Sequence, residues 1–224
     1  MTEGNERILV GYDASSLEDR IRAHYCFPYD KDGSYTANLL DPDYSVHDEN
    51  MKNWPGIERP LCKNGQYALQ YGAQLATFMT TIGVDKKLGQ RYYDDWWKRN
   101  PPLAVFKRKL EASWEKRGYL VSIDGVRMEC RSKHSLVNTL FQSAGAIVMK
   151  EAMCLMDAKI TERGLDAFQV IAYHDEEQYS SAPECVDEVG RLGCESIVEA
   201  GENFKLNVPL AAEYMLGANW AETH

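Results

Sequence analysis

Residues 167–179 read AFQVIAYHDEEQY, an apolar run that climbs to a histidine and then delivers three acids in succession. Ala167 to Tyr173 reads as a strand, and Asp175 falls in a turn between that strand and the next. So much charge at the tip of an apolar strand calls for a counterpart. Far upstream, Arg7 to Tyr12 (RILVGY) reads as a buried strand that ends at a second acid, Asp13. Neighbouring carboxylates repel, so bringing them together makes sense where a cation neutralises them. Hard divalent ions accept a few carboxylates and complete their shell with water and phosphate oxygens. Two such ions about 3.5–4 Å apart clamp the attacking and leaving oxygens of a phosphoryl transfer.

Outward from these two acids the chain alternates helices with short strands. Residues 15–27 read as a helix with Ser15 or Ser16 at its start and Leu17 and Ile21 on one face. Residues 28–58 carry Pro, Gly, Asp and Asn without periodicity and read mostly as loop. A helix from Pro60 to Gly72 has proline in its first turn, and the next, residues 73–83, stops at Gly83. Residues 85–100 and 101–118 read as two amphipathic helices broken at Asn100–Pro101. Residues 119–130 (YLVSIDGVRMEC) signal a hairpin with Asp124–Gly125 as its two-residue turn. A long helix from Ser135 to Arg163 precedes the opening strand. Residues 182–201 read as a helix, and FKLNVPL (204–210) as a last short strand. There is no internal repeat and no evident linker. Helices mixed with hairpin strands point to an α+β fold.

The 224 residues suffice for one sizeable domain or two small ones, and 44% hydrophobic with 26% charged residues suits a globular chain. No apolar run is long enough to span a membrane. MTEGNERILVGY lacks the features of a secretion signal, so a cytoplasmic location is expected. The six cysteines form no CxxC pair and no zinc spacing, and are expected to be reduced and mostly buried. The net charge of −9 runs against the basic surplus typical of a nucleic-acid binder.

The helix from Pro60 carries a different pattern. Arg59, Lys63, Tyr67 and Tyr71 are spaced four apart and share one face. Two cations followed by two aromatics suit a nucleotide, the cations meeting the triphosphate and the rings meeting the base. RPLCKNGQYALQYGA (59–73) resembles the motif B helix of family A, polymerase I-type DNA polymerases. DASSLEDR (13–20) resembles their motif A and HDE (174–176) their motif C. RSKHSLVNTLFQSAGA (131–146) is similar to the segment before the long palm helix in replicative polymerases of short-tailed phages, and NWAETH (219–224) to their end. The matches run in family order from about residue 8 onward.

The resemblance implies a polymerase palm (an antiparallel sheet with helices) plus helical fingers, an incomplete right hand. Palm would occupy residues 1–58 and 119–224, with fingers at 59–118 between them. It implies template-directed DNA synthesis with two Mg²⁺ ions, Mn²⁺ being an alternative. Asp13 and Asp175 would hold both ions with the Ala14 carbonyl, and Glu176 would lie close by. His47, Arg59 and Lys63 would grip the incoming dNTP, Lys63 also donating a proton to pyrophosphate. Tyr67 would stack near the sugar and base and favour tolerance of 3′-deoxy substrates. Glu18 would crowd the sugar 2′ position. Tyr71 would sit at the templating base, and Asn138 and Gln142 would read minor-groove acceptors common to all base pairs. Arg131 and His174 would touch the primer or template backbone.

The sequence departs from the family pattern at Ala68, where glycine is usual, and at Asp19 and Glu177, where apolar residues are usual. Thumb, upstream palm and exonuclease would precede motif A. The resemblance therefore suggests the C-terminal part of a split polymerase, with a separate polypeptide carrying those parts and most of the duplex grip. The strand ending at Asp13 would then lack neighbours, and the chain alone would expose apolar edge surface. A single-subunit RNA polymerase is opposed by Glu18 and by HDE rather than HDS. A non-catalytic or truncated fragment that binds DNA or a partner chain is the remaining alternative.

Overall fold

The structure, a computed structural model, describes residues 7–224. Residues 1–6, part of the N-terminal stretch read above as lacking a signal, lie outside it. The described chain is α+β and divides by its contacts into two compact units, residues 7–20 with 144–224 and residues 21–143.

The first unit is built on a four-stranded antiparallel sheet of β1 (Ile8–Ala14), β4 (Ala167–Tyr173), β5 (Glu176–Ser181) and β6 (Ala212–Gly217) in the order β4-β5-β1-β6. β1 is thus central, hydrogen-bonded on both sides, which corrects the expectation that it lacks neighbours. Among the described residues, the unpaired edges belong instead to β4 and β6. There Phe168, Val170 and Tyr173, and Met215 and Leu216, are exposed, so apolar edge surface is present on different strands from the one expected.

Strand alternation sorts the residues of β1 onto two faces. Val10, Tyr12 and Ala14 are buried on the face covered by a helix of residues Val186–Asn203, α9 in chain order. That packing is close because the helix presents glycine to the rings: a Cβ on Gly193 would lie 2.3 Å from the Tyr12 ring, and one on Gly190 would lie 2.2 Å from that of Tyr214. The 28-residue helix α8 (Leu136–Arg163) is tied to α9 by Lys159, whose Nζ donates to Ser196 Oγ at 3.1 Å and pairs with Glu199 at 2.8 Å. Leu9, Gly11 and Asp13 point to the opposite face, where the short helix α10 (Trp220–Thr223) lies against β1 and β6.

The second unit is helical. After α1 (Leu17–Cys26), inside which the division falls, come α2 (Ser34–Leu40), α3 (Val46–Asn53), α4 (Arg59–Gln70), α5 (Leu75–Ile82), α6 (Lys86–Arg99) and α7 (Pro101–Arg117). Trp54 packs on Phe78 and Tyr92, with ring centroids at 5.2 and 6.3 Å. Caps explain the boundaries. Asp85 accepts from Leu88 N at 2.9 Å to open α6, and Gly83 and Gly118 turn left-handed to close α5 and α7. Asn100, followed by Pro101, separates α6 from α7 as expected, its Nδ2 donating to Trp96 O at 2.8 Å.

Three local expectations need correction. Residues 28–58 are not mostly loop, because α2 and α3 lie there. Each is only about two turns long, too short to display periodicity, and each is started by side chains: Asp30 and Asp32 accept from Thr36 N and Ser34 N, and Ser45 accepts from Asp48 N. The hairpin of β2 (Leu120–Val121) and β3 (Arg127–Met128) turns with Gly125 N donating to Ser122 O. Ile123 and Asp124 are therefore the central pair, and Gly125 follows them with φ of 85°. Finally, FKLNVPL is not the last strand. It is a loop that buried Val208 and Leu210 anchor under the end of α9, and the strand is β6. All six cysteines are free thiols, with Cys26, Cys62 and Cys185 buried and Cys154 exposed.

Candidate active site

β1 and the β4–β5 hairpin deliver Asp13 and Asp175 to one cavity of about 250 Å³, lined also by Gly11, Tyr173, Glu176 and Glu213. The geometry follows from register. Tyr173 pairs with Glu176, leaving His174 and Asp175 as a two-residue turn, with His174 at a left-handed φ of 57°. Asp13 pairs with Glu176 on one side and Glu213 on the other, so three acids sit on one row across β5, β1 and β6. The Ala14 N–H donates to Asp175 O at 3.0 Å and ties the turn to the end of β1.

Electrostatics set these acids apart. Burial, then Asp175, Glu176 and Glu213, push the Asp13 carboxyl up to about 6, with His224 pulling the other way. Among the described residues no side-chain donor bonds the carboxylates of Asp13 or Asp175. Glu176, in contrast, is fully engaged: Trp220 Nε1 donates to it at 2.6 Å, His224 Nδ1 lies 2.5 Å away, and Gln178 Nε2 also reaches it. No three His, Cys, Asp or Glu among the described residues already form a closed metal cluster. The donor set is two unbonded carboxylates under mutual repulsion, which suits a hard divalent cation that brings its own water and substrate oxygens.

The second unit assembles the other candidates. On α4, Arg59 Nε meets Asp48 Oδ1 at 3.1 Å, Lys63 Nζ lies 6.0 Å from the Tyr67 ring, and Tyr67 and Tyr71 stack at 6.1 Å. His47, on α3, packs edge-on against Tyr67 at 5.8 Å. Gln142 Nε2 donates to the Tyr71 hydroxyl at 2.9 Å, and Asn138 lies one turn earlier on α8. The buried side of α4 is polar. Gln66 Oε1 accepts from Asn50 Nδ2 and Trp96 Nε1, each at 2.8 Å, which orients the helix with directional bonds. Arg131 is exposed between β3 and α8, His174 is exposed at the hairpin tip, and Glu18 is partly exposed in the first turn of α1.

A profile of DNA polymerase family A matches residues 1–222. The chain belongs to that family. Family A polymerases similar to it include the DNA-directed DNA polymerase of Escherichia phage Phieco32, 28% identical across 98% of this chain and 40% of that protein. The DNA-directed DNA polymerase of Enterobacteria phage T3 is also 28% identical, across 99% of this chain and 34% of the relative. DNA polymerase I of Pseudomonas aeruginosa is 28% identical across 96% of this chain and 25% of the relative. The chain thus spans a quarter to two fifths of the length of these family A enzymes.

Sequence reasoning missed Glu213, Gln178, Trp220 and His224 as members of the acid edge. Glu213 follows the segment misread as the last strand, so only the β1–β6 register reveals it. Trp220 and His224 lie in NWAETH, a signal that was visible without a position attached to it. Glu177 is also more than a departure from the family pattern. It is buried, accepts from the Tyr12 hydroxyl at 2.5 Å, and burial pushes its carboxyl up to about 7. No helix of the described residues is long and apolar enough to cross a membrane.

Proposed function

We propose that this chain is the catalytic C-terminal portion of a DNA polymerase, adding dNTPs to a primer 3′-OH by two-metal nucleotidyl transfer. The observation that carries the reading is the convergence of Asp13 and Asp175, unbonded carboxylates from distant sequence, on one cavity beside the Glu176–Glu213 row. Asp13, Asp175 and the Ala14 carbonyl would hold two Mg²⁺ or Mn²⁺ ions, with Glu176 nearby. Bound divalent ions would supply charge stabilisation at the attacking and leaving oxygens.

The chain's own residues do the remaining work. Arg59, Lys63 and His47 bind the triphosphate, and Lys63 donates a proton to the departing pyrophosphate. Tyr67 stacks beside sugar and base, and Glu18 excludes a 2′-hydroxyl. Tyr71 receives the templating base, Asn138 and Gln142 probe the minor groove, and Arg131 and His174 hold the backbone. In this reading the sheet is palm, from residues 1–58 and 119–224, and residues 59–118 are fingers. The exonuclease, thumb and upstream palm come from a separate polypeptide. The exposed apolar edges of β4 and β6, a surface such a partner would cover, support that assignment. The assembly works in the cytoplasm, the host's if the gene is viral.

The test is primer extension with Mg²⁺ and dNTPs, using the chain alone and with upstream chains encoded in the same genome, with Asp175→Ala as control. Extension that needs a partner and is lost in the mutant is the expected result. Equal extension with and without a partner, or a native mass showing one longer polypeptide, would overturn the split. No extension in any combination would leave a non-catalytic fragment that binds DNA or a partner chain.

A further inference from the structure

On the reverse of the acid row lies a buried polar cluster that the proposed chemistry does not use. Glu177 is 1% exposed. Its Oε2 accepts from the Tyr12 hydroxyl at 2.5 Å and from Gln169 Nε2 at 3.2 Å, while its Oε1 is buried with no partner among the described residues. Burying a carboxyl with one oxygen unmatched costs stability that an aliphatic side chain would not. Something other than packing has to account for it.

The three residues come from three adjacent strands, Gln169 on β4, Glu177 on β5 and Tyr12 on β1. Tyr12 and Glu177 are register partners, and the next rung is Asp13 with Glu176. The cluster is therefore back to back with the acids, one residue away on each strand. Tyr12 is held on all sides, stacked on Tyr179 at 5.7 Å and seated over Gly193 with no room for a Cβ.

Register on β5 has little help from its own side chains. A slip of one residue moves every side chain to the opposite face, and apolar patterning normally prevents it. β5 reads EEQYSS, with a single apolar ring, and its Gln178 has only Gly11 opposite it on β1. β4 adds an irregularity between Gln169 and Ile171, beside the glutamine that reaches Glu177. Directional hydrogen bonds can fix what a polar strand and a bulge leave loose.

We infer that Glu177 is a positioning residue whose carboxyl, held by Tyr12 and Gln169, locks β4, β5 and β1 in the register that sets Asp175 against Asp13. Its catalytic consequence rests on the reading of those aspartates as metal ligands. Its structural content does not, because the Ala14 N–H to Asp175 O bond reports the same register directly.

Two readouts separate the claims. Amide hydrogen exchange follows Ala14 and the interior of α9 in the wild type, Tyr12→Phe, Glu177→Leu and Glu177→Gln. Primer extension on the same proteins, with whatever partner chain the wild type requires, follows the half-saturating Mg²⁺ concentration and the KM for dNTP. In Tyr12→Phe and Glu177→Leu the Ala14 amide is expected to exchange about tenfold faster relative to α9, a local opening rather than global unfolding. The half-saturating Mg²⁺ concentration should rise by a similar factor, about tenfold, the scale of losing a supporting residue behind a metal ligand. The KM for dNTP should stay unchanged, and Glu177→Gln, which keeps an acceptor oxygen, should recover most of both. Ala14 and α9 accelerating in step, or Mg²⁺ dependence unchanged while stability falls, would overturn the positioning role. If the wild type extends no primer, the polymerase reading fails, and the Ala14 amide alone still decides whether Glu177 sets the register.

Discussion

Asp13 and Asp175 meet only because β1 and β5 pair antiparallel, whereas Arg59, Lys63, Tyr67 and Tyr71 share a face because a helix repeats about every fourth residue. The first arrangement depends on strands far apart in sequence; the second is local. Their surroundings differ as well. The acid edge is crowded by like charge and partly buried, while Arg59 and Lys63 stand exposed. Loss of Asp13 or Asp175 should therefore be severe for activity and favourable or neutral for stability. Damage on α4 should be milder and confined to substrate handling.

The strongest way to break this contrast is Asp13→Asn. Extension should fall roughly 1,000-fold or more, the several kcal/mol that metal charge stabilisation supplies. The thermal midpoint of the metal-free protein should hold or rise, because a repelled carboxyl is gone. A falling midpoint would mean the acids hold the fold together. On the helix, Lys63→Ala should slow extension about 100-fold, the lower range for a positioned proton donor, and leave the midpoint unchanged. Lys63→Arg should keep dNTP binding and still lose rate, separating charge from proton transfer in a pH–rate profile.

Glycine substitutions probe the scaffold behind the acids. Gly193→Ala should destabilise by about 1–3 kcal/mol in urea denaturation, since the methyl enters the Tyr12 ring. Gly145→Ala, in mid-helix with Leu17 at an ordinary 3.5 Å, should instead stabilise by about 0.5–1 kcal/mol. Equal effects would sink the idea that the α9 glycine is a ring seat. The smallest effect concerns the thiols. Cys154, exposed on α8, should be alkylated first at pH 8, and Cys154→Ser should change stability by less than about 0.5 kcal/mol. Cys26, whose thiol burial pushes up to about 12, should react only on unfolding.

The comparison also explains which parts were legible in the sequence. The stripe on α4 needed only spacing, and the hairpin tip with Asp175 needed only a strand followed by charge. The order β4-β5-β1-β6 did not follow from any one strand, so the central place of β1 and the alignment of Glu213 with Asp13 stayed hidden. FKLNVPL misled because Leu206, Val208 and Leu210 alternate like strand residues, yet two of them are buried in a loop. Glu177 stood out as a departure, but the hydroxyl that binds it comes from Tyr12, 165 positions away.

Trp220 offers an optical consequence. The chain has five tryptophans, and the other four, Trp54, Trp96, Trp97 and Trp114, lie in residues 21–143. Trp220 alone reports on the sheet unit, with its indole N–H on Glu176 and its ring edge-on to Tyr173 at 5.7 Å. A Phe replacement at each of the other four leaves a single tryptophan, at the acid edge, that can be excited apart from the tyrosines. Its emission would then track events at Asp13 and Asp175 in real time, with no dye attached.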